Sequence, residues 1–203
     1  KAKDAIRTFV NDMGPYDRTS IVGFKGAFKV EVDSARKDSV LVDSTVVHQT
    51  MTSNRTLLLQ AVDSIIPDGK MTNIITGTDV GLQQIVNETN ATVVIVFSDG
   101  DNNSGSKDVR GTVGQANAKK TPIYTIALES ETKYPLANLA EGTGGTFSLA
   151  SDASELAGLY AGIRDNVLSQ YVVCYQTPDT VQNGETHDVT ISMKFNKVTT
   201  VDS

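Results

Sequence analysis

Short runs of apolar, β-branched residues alternate with segments of helical periodicity, and this alternation constrains the fold more than any other feature. The two clearest runs are 91–97 (ATVVIVF) and 122–128 (PIYTIAL). A run that is apolar at nearly every position suits a strand covered on both faces, as in a parallel sheet. Segments with helical spacing of apolar residues precede and follow each run. The pattern predicts an α/β fold: a doubly wound, mostly parallel sheet with helices on both faces.

The individual elements follow from the same periodicities. Helices are predicted at 1–13, 54–66, 74–87, 107–119, 136–141 and 153–168, and strands at 18–24, 91–97, 122–128 and 146–149. The turn Lys25-Gly26, followed by alternating apolar residues in 27–32, predicts a β-hairpin between 18–24 and 27–32. Segment 39–49 is β-branched and expected to be extended, and its partner is not evident.

The pattern changes after residue 168. Two strands are predicted at 171–176 and 186–195, with a turn at Asn183-Gly184 and no helix between them. We therefore expect two parts: a domain over 1–168 and a C-terminal β appendage over 169–203, which is either a hairpin or part of a neighbouring β-domain. A length of 203 residues accommodates this division.

Composition excludes several classes of function. The chain has 18 basic and 24 acidic residues, a net charge of −6, which argues against nucleic-acid binding because that needs a basic face. No apolar run approaches the ~20 residues of a membrane span, and no leader opens the chain, so any signal peptide would already have been removed. One cysteine and two histidines exclude a disulfide framework and a cysteine- or histidine-rich metal site. Oxygen-based metal chemistry stays open.

Two loops carry the candidate chemistry. In open α/β sheets ligands bind beyond the carboxyl ends of the strands, and Ser98-Asp99-Gly100-Asp101 directly follows the strand ATVVIVF. The second loop, Met71-Thr72-Asn73-Ile74, leads into a predicted helix. The alternative for Thr72 or Asn73 is a purely structural role as the helix cap.

The order of five segments resembles the von Willebrand factor A (vWA) domain. These are DRTSIVGF, MTNI, VVIVFSDG, PIYTIAL and GGTFSLASDASELAGLYAGIRD, and the resemblance covers about 1–168. It implies a metal-ion-dependent adhesion site (MIDAS), in which Thr72 binds a divalent cation directly and Asp99 binds it directly or through water. The ion would be Mg²⁺, or Mn²⁺ or Ca²⁺ in its place, since hydroxyl and carboxylate oxygens suit such hard cations. The family's third loop, Asp-x-Ser-x-Ser, does not occur in these 203 residues, so only two of the three loops are expected here.

The resemblance implies a binding module and not an enzyme. We expect an extracellular or cell-surface domain that engages a protein ligand or a neighbouring subunit, with the cation as a candidate link between them. One alternative is a structural building block of a surface assembly or filament, in which a neighbouring segment completes the sheet by strand addition. A less favoured alternative is a metal-dependent phosphohydrolase built on Asp99 and Asp101, which lacks an evident basic side chain to clamp a phosphate.

Four Asn-x-Ser/Thr triplets begin at Asn54, Asn87, Asn90 and Asn102. Such triplets are acceptors for N-glycosylation in secreted proteins. They are compatible with a glycoprotein outside the cell.

Overall fold

The computed structural model describes residues 2–26, 28–33, 38–42, 44–66, 72–98, 108–128, 134–151 and 153–168. All of them belong to one compact unit, Lys1–Gln170. The predicted appendage over 169–203 lies outside the described residues.

Six helices and seven strands make up the described part of the chain. The helices are α1 (Ala2–Asp12), α2 (Arg55–Ser64), α3 (Ile74–Gln84), α4 (Val109–Ala118), α5 (Leu136–Glu141) and α6 (Ala153–Leu168). The strands are β1 (Thr19–Gly23), β2 (Phe28–Asp33), β3 (Asp38–Val42), β4 (Val46–Thr52), β5 (Val94–Ser98), β6 (Ile123–Leu128) and β7 (Phe147–Ala150). Every predicted helix is present, and each of its ends lies within three residues of the predicted one.

Three strands form the parallel sheet that the apolar runs predict. Its order is β5-β6-β7, with Val96 opposite Thr125 and Thr125 opposite Phe147. Because consecutive parallel strands need a crossover, a helix lies between each pair along the chain: α4 between β5 and β6, and α5 between β6 and β7. The α/β architecture expected from the alternation is confirmed.

Side chains of β5 alternate between two apolar layers. Val94 and Val96 pack into a cluster that includes Ile75 and Leu82 of α3. Ile95 and Phe97 face the opposite way and pack against residues of α1 and α6. On that side the rings of Phe9 and Tyr160 approach to 5.6 Å between centroids. The alternation is the period-two geometry of a strand covered on both faces.

The predicted hairpin between 18–24 and 27–32 is wrong. β1 pairs instead with β4, antiparallel, with Thr19 opposite Thr52 and Gly23 opposite Val46. Segment 39–49 divides into two strands, of which β3 forms its own antiparallel ribbon with β2. β4 is long enough to pair along the whole of β1. β2 pairs with β3, which follows it in the chain after the short connection 34–37.

Two polar contacts hold α1 and α2 side by side, with the two helices running in opposite directions. Lys3 Nζ donates to the carbonyl of Asp63 at 2.9 Å, near the end of α2. Arg55, at the start of α2, donates to the carbonyl of Met13, just after α1. The beginning of α1 therefore lies beside the end of α2.

Candidate functional site

Thr72 directly precedes Asn73, the residue that caps the start of α3. The Asn73 Oδ1 accepts a hydrogen bond from the Thr76 backbone N–H at 3.2 Å. Asn73 is only 2% exposed, so its amide is a fixed part of the helix start. Asn73 is therefore the helix cap, the structural role that the sequence left open between Thr72 and Asn73. The capping bond does not use the Thr72 hydroxyl.

The second candidate loop begins where β5 ends. Ser98 is the last residue of β5 and is 5% exposed. Asp99, the sequence-predicted carboxylate ligand, lies outside the described residues, as does Asp101. Ser98 is therefore the last described residue before this loop.

The later part of α3 lies beside the start of β5. A Cβ built on Gly81 would be 3.7 Å from the Val94 Cγ1. Thr72 stands before the first turn of α3, and Ser98 ends β5.

Thr72 and Ser98 also line one cavity of about 1140 Å³. The cavity lies between β1 and β5, and we call it the β1–β5 groove. Among its lining residues, the Arg18 Nη1 lies 2.8 Å from the Glu88 Oε1, and the Arg18 Nη2 donates to the Met51 carbonyl at 3.1 Å. This ion pair links the start of β1 to the loop before β5 across the groove.

An oxygen-liganded cation is the ligand that the sequence predicts at Thr72 and Asp99. Hydroxyl groups are hard oxygen donors, and Mg²⁺ is usually held by one or two carboxylates together with such groups and water. Among the described residues no three His, Cys, Asp or Glu side chains cluster in a way that could hold a metal. Of the two predicted ligands, Thr72 belongs to the described part of the chain and Asp99 lies outside it.

His48 is a strand residue, and it belongs to no metal-binding cluster among the residues that the structure describes. Its Nδ1 lies 2.8 Å from the Ser64 Oγ, and that hydroxyl donates to the Ala61 carbonyl at 2.7 Å, so the Nδ1–H donates to the Ser64 oxygen. Burial lowers the pKa of His48, and the positive charges of Lys25 and Lys3 lower it further. The imidazole is thus kept neutral at neutral pH.

Three of the four glycosylation triplets begin at described residues. Asn54, Asn87 and Asn90 are all exposed. The Asn54 side chain accepts from the Leu57 N–H and caps α2, so a glycan there would compete with the cap. Asn102 lies outside the described residues, and glycosylation of any of the four stays a prediction.

Sequence reasoning missed the Arg18–Glu88 ion pair and the groove itself. The two charged residues are 70 positions apart, and no periodicity or motif connects them. The groove is a gap between elements, so only their arrangement in space shows it.

No helix in the described part of the chain is long and apolar enough to cross a membrane.

Solved structures with the same fold are similar to this chain at low sequence identity. A von Willebrand factor type A protein from Catenulispora acidiphila matches with a TM-score of 0.63 and 15% identity over 84% of this chain and 38% of that one. An aerotolerance-related membrane protein from Bacteroides fragilis matches with a TM-score of 0.59 and 14% identity over 83% and 87%. Proximal thread matrix protein 1 from the mussel byssus, with a zinc-occupied MIDAS motif, matches with a TM-score of 0.60 and 16% identity over 81% of this chain and 41% of that one.

The chain spans about two fifths of the length of the first and third of these structures. No curated protein sequence matches it. The sequence profile of the von Willebrand factor type A domain matches residues 1–162, most of the chain. Domains of this family mediate protein–protein interactions, and a member with a metal-occupied MIDAS motif shows that divalent cations bind in the family. Together with the parallel sheet and its helical layers, this match shows that the chain belongs to the vWA family.

Proposed function

We propose that this chain is an adhesion module outside the cell or at its surface, which engages a protein ligand through a divalent cation held by Thr72 and Asp99. The single observation that carries the proposal is that Thr72 and Ser98, at the end of β5, line one cavity.

The cation would be Mg²⁺, with Mn²⁺ or Ca²⁺ as substitutes. Mg²⁺ prefers six oxygens in near-octahedral geometry and retains several waters. A hydroxyl from Thr72 and a carboxylate from Asp99 leave positions that water fills, and a carboxylate from the protein ligand can replace one water. Two protein ligands alone give weak binding, on the order of millimolar, the range of weak extracellular cation sites.

Titration of Mg²⁺ and Mn²⁺ by calorimetry tests the cation site. We expect saturable heat that is lost in Thr72→Ala and in Asp99→Asn. Thr72→Ser keeps the hydroxyl and should restore binding, while Thr76→Ala, in the first turn of the same helix, should leave it unchanged. Identical heats in all five proteins would rule out a cation site at these residues.

The role of the cation in ligand binding needs a second measurement. A short peptide with one Glu should bind in Mg²⁺ and not in EDTA, and the same peptide with Gln should bind in neither. Binding of both peptides regardless of the cation would overturn the cation-mediated mechanism.

A second candidate function is that of a building block in a surface assembly, with the sheet completed by a segment of a neighbour. The observation that favours it is the β1–β5 groove, which separates two strands of the described chain. Sedimentation at increasing protein concentration tests it. Growth into oligomers is expected, and a monomer at all concentrations would contradict this function.

A further inference from the structure

Two of the Asn-x-Thr triplets share the connection between α3 and β5. They are Asn87-Glu88-Thr89 and Asn90-Ala91-Thr92, and the asparagine of each is exposed. A transferase that recognises such a triplet has to reach the amide of the Asn and the hydroxyl of the Thr two residues later, because these are the groups that the motif prescribes. The structure shows how each triplet presents that pair of groups.

The first triplet presents both groups to solvent. Asn87 and Thr89 are exposed, whereas the side chain of Glu88 between them is only 15% exposed. Arg18 holds Glu88 in place, since its Nη1 lies 2.8 Å and 3.0 Å from the two carboxylate oxygens. Within the described part of the chain, neither Asn87 nor Thr89 makes a side-chain hydrogen bond. The ion pair thus anchors the middle of the triplet and leaves its two outer residues facing solvent.

The second triplet presents only one of the two groups. Asn90 is exposed, but the hydroxyl of Thr92 lies 2.7 Å from the hydroxyl of Thr121 in a partly buried contact. Thr121 itself is 1% exposed. The hydroxyl that this triplet needs is therefore engaged inside the folded domain.

The triplet at Asn54 is constrained at its acceptor. The Asn54 Oδ1 accepts a hydrogen bond from the Leu57 N–H at 3.2 Å, and this bond caps α2. The amide is therefore held in one orientation at the start of a helix, and a transferase that turned it would have to break the cap. Asn87 makes no such bond among the residues that the structure describes.

The surroundings of Asn87 leave space for an attached sugar. The Glu88 N–H donates to the Ile85 carbonyl at 3.2 Å, so Val86 and Asn87 occupy the centre of a turn just after α3. Val86 is 59% exposed, and a sugar on the next residue would cover part of it. The turn precedes β5, whereas the predicted cation loop follows Ser98 at the end of that strand. A glycan here would be attached at the other end of β5 from the cation loop.

We propose that Asn87 carries an N-linked glycan and is the preferred acceptor among the triplets that the structure describes. A transferase would supply the oligosaccharide from a lipid-linked phosphate or diphosphate donor. A bond forms between the Asn87 Nδ2 and the anomeric carbon of the first sugar, and the bond from that carbon to the donor's phosphate oxygen breaks. The lipid phosphate leaves, one amide proton passes to a base of the transferase, and nothing is oxidised or reduced. The inference rests on the location outside the cell in the proposed function, and it does not depend on the cation.

The experiment uses the protein that contains this chain, purified from the organism that makes it. Mass spectrometry of intact glycopeptides gives both the added mass and the asparagine that carries it. Trypsin leaves Asn87 and Asn90 in one peptide, because no Lys or Arg lies between Met71 and Ser106. Electron-transfer fragmentation keeps the sugar on its asparagine and so distinguishes the two. A membrane-impermeant reagent applied to intact cells reports separately whether the protein is at the surface.

We expect sugar on Asn87, with Asn90 and Asn54 unmodified in most copies. Thr89→Ala, made in the same organism, should abolish the modified peptide. Thr89→Ser should retain it, because the hydroxyl is kept. Asn90→Gln is the matched control in the same connection and should leave the modification of Asn87 unchanged.

Three outcomes would overturn the proposal. An unmodified Asn87 in protein that the reagent labels would reject the glycan and leave the location in the proposed function standing. An unmodified Asn87 in protein that the reagent does not label would reject both. Sugar on Asn90 in preference to Asn87 would show that the engaged Thr92 hydroxyl does not decide which triplet is used.

Discussion

Thr72 and Asn73 are adjacent residues with different roles. The Asn73 amide is buried and bonded to the start of α3, which fixes the backbone just after Thr72. A side chain held by a rigid neighbour needs little ordering when a ligand binds. The sequence offered both residues as candidates for the cap and Thr72 also as a ligand, and the hydrogen bond shows that Asn73 is the cap.

Two glycines in α3 allow a matched test of packing at the groove. A Cβ at Gly77 would lie 2.5 Å from the Phe24 Cγ, whereas one at Gly81 would meet only the Val94 Cγ1 at 3.7 Å. Both changes to Ala gain roughly 1 kcal/mol of helix propensity, but overpacking at Gly77 costs about 1–3 kcal/mol. We expect Gly77→Ala to be less stable than Gly81→Ala by that amount in urea unfolding. Equal stabilities would mean that Phe24 moves aside without cost.

The lowered pKa of His48 makes stability depend on pH. Because the folded-state pKa lies below the ordinary value of 6.5, the unfolded chain takes up the proton first as pH falls. The contribution of His48 is complete above about pH 6.5 and is lost as pH falls toward the folded-state pKa. Comparing urea midpoints at pH 7.5 and 5.5, we expect a smaller decrease for His48→Gln than for the unaltered chain. A decrease of the same size would show that other groups cause the acid sensitivity.

The hydrogen bonds that begin α2 and α3 show how an element positions the site. Both helices are capped by an asparagine whose Oδ1 accepts from the N–H three residues later, at 3.2 Å in each case. Asn54 is exposed, whereas Asn73 is buried beside Thr72. The same sequence signal therefore has different consequences in the two helices.

Replacing each cap by alanine separates these consequences. Loss of an asparagine cap costs about 0.5–2 kcal/mol, and we expect Asn54→Ala at the low end and Asn73→Ala at the high end because a buried amide is removed. Thermal unfolding measures the difference. Only Asn73→Ala should also weaken Mg²⁺ binding in calorimetry. Equal loss of cation binding in both variants would show a general effect of stability and not of the position of Thr72.

At the scale of the whole molecule, two apolar layers enclose the parallel sheet. One contains α1 and α6 and the other contains α3 and α4, with β6 buried between them. The β1–β4 pair lies across the groove from this sheet, linked to it by the Arg18–Glu88 ion pair. An exposed ion pair of this kind contributes only about 0–1 kcal/mol, so the link is weak compared with strand pairing.

Native-state hydrogen exchange should reflect this difference. Amides that open only in global unfolding exchange most slowly, and we expect these in β6, where Thr125 and Ile126 have no exposed surface. Amides of β1 should exchange faster, since that strand borders the groove. Equally slow exchange in β1 and β6 would mean that the groove side of β1 is already covered.

The sequence by itself determined the helices, the parallel strands and the fold family. These depend on local periodicity and on the order of short motifs, which any reader of the chain can see. It also placed a candidate ligand, Thr72, at the start of α3, although Asp99 lies outside the described residues.

Only the tertiary structure decided the pairing of β1 with β4, the Arg18–Glu88 link and the groove. Strand pairing between distant segments depends on which edges and apolar faces meet, and many pairings are compatible with the same local pattern. The hairpin predicted from adjacency was wrong for that reason. A cavity is a property of the spaces between elements, and no residue pattern along the chain encodes it directly.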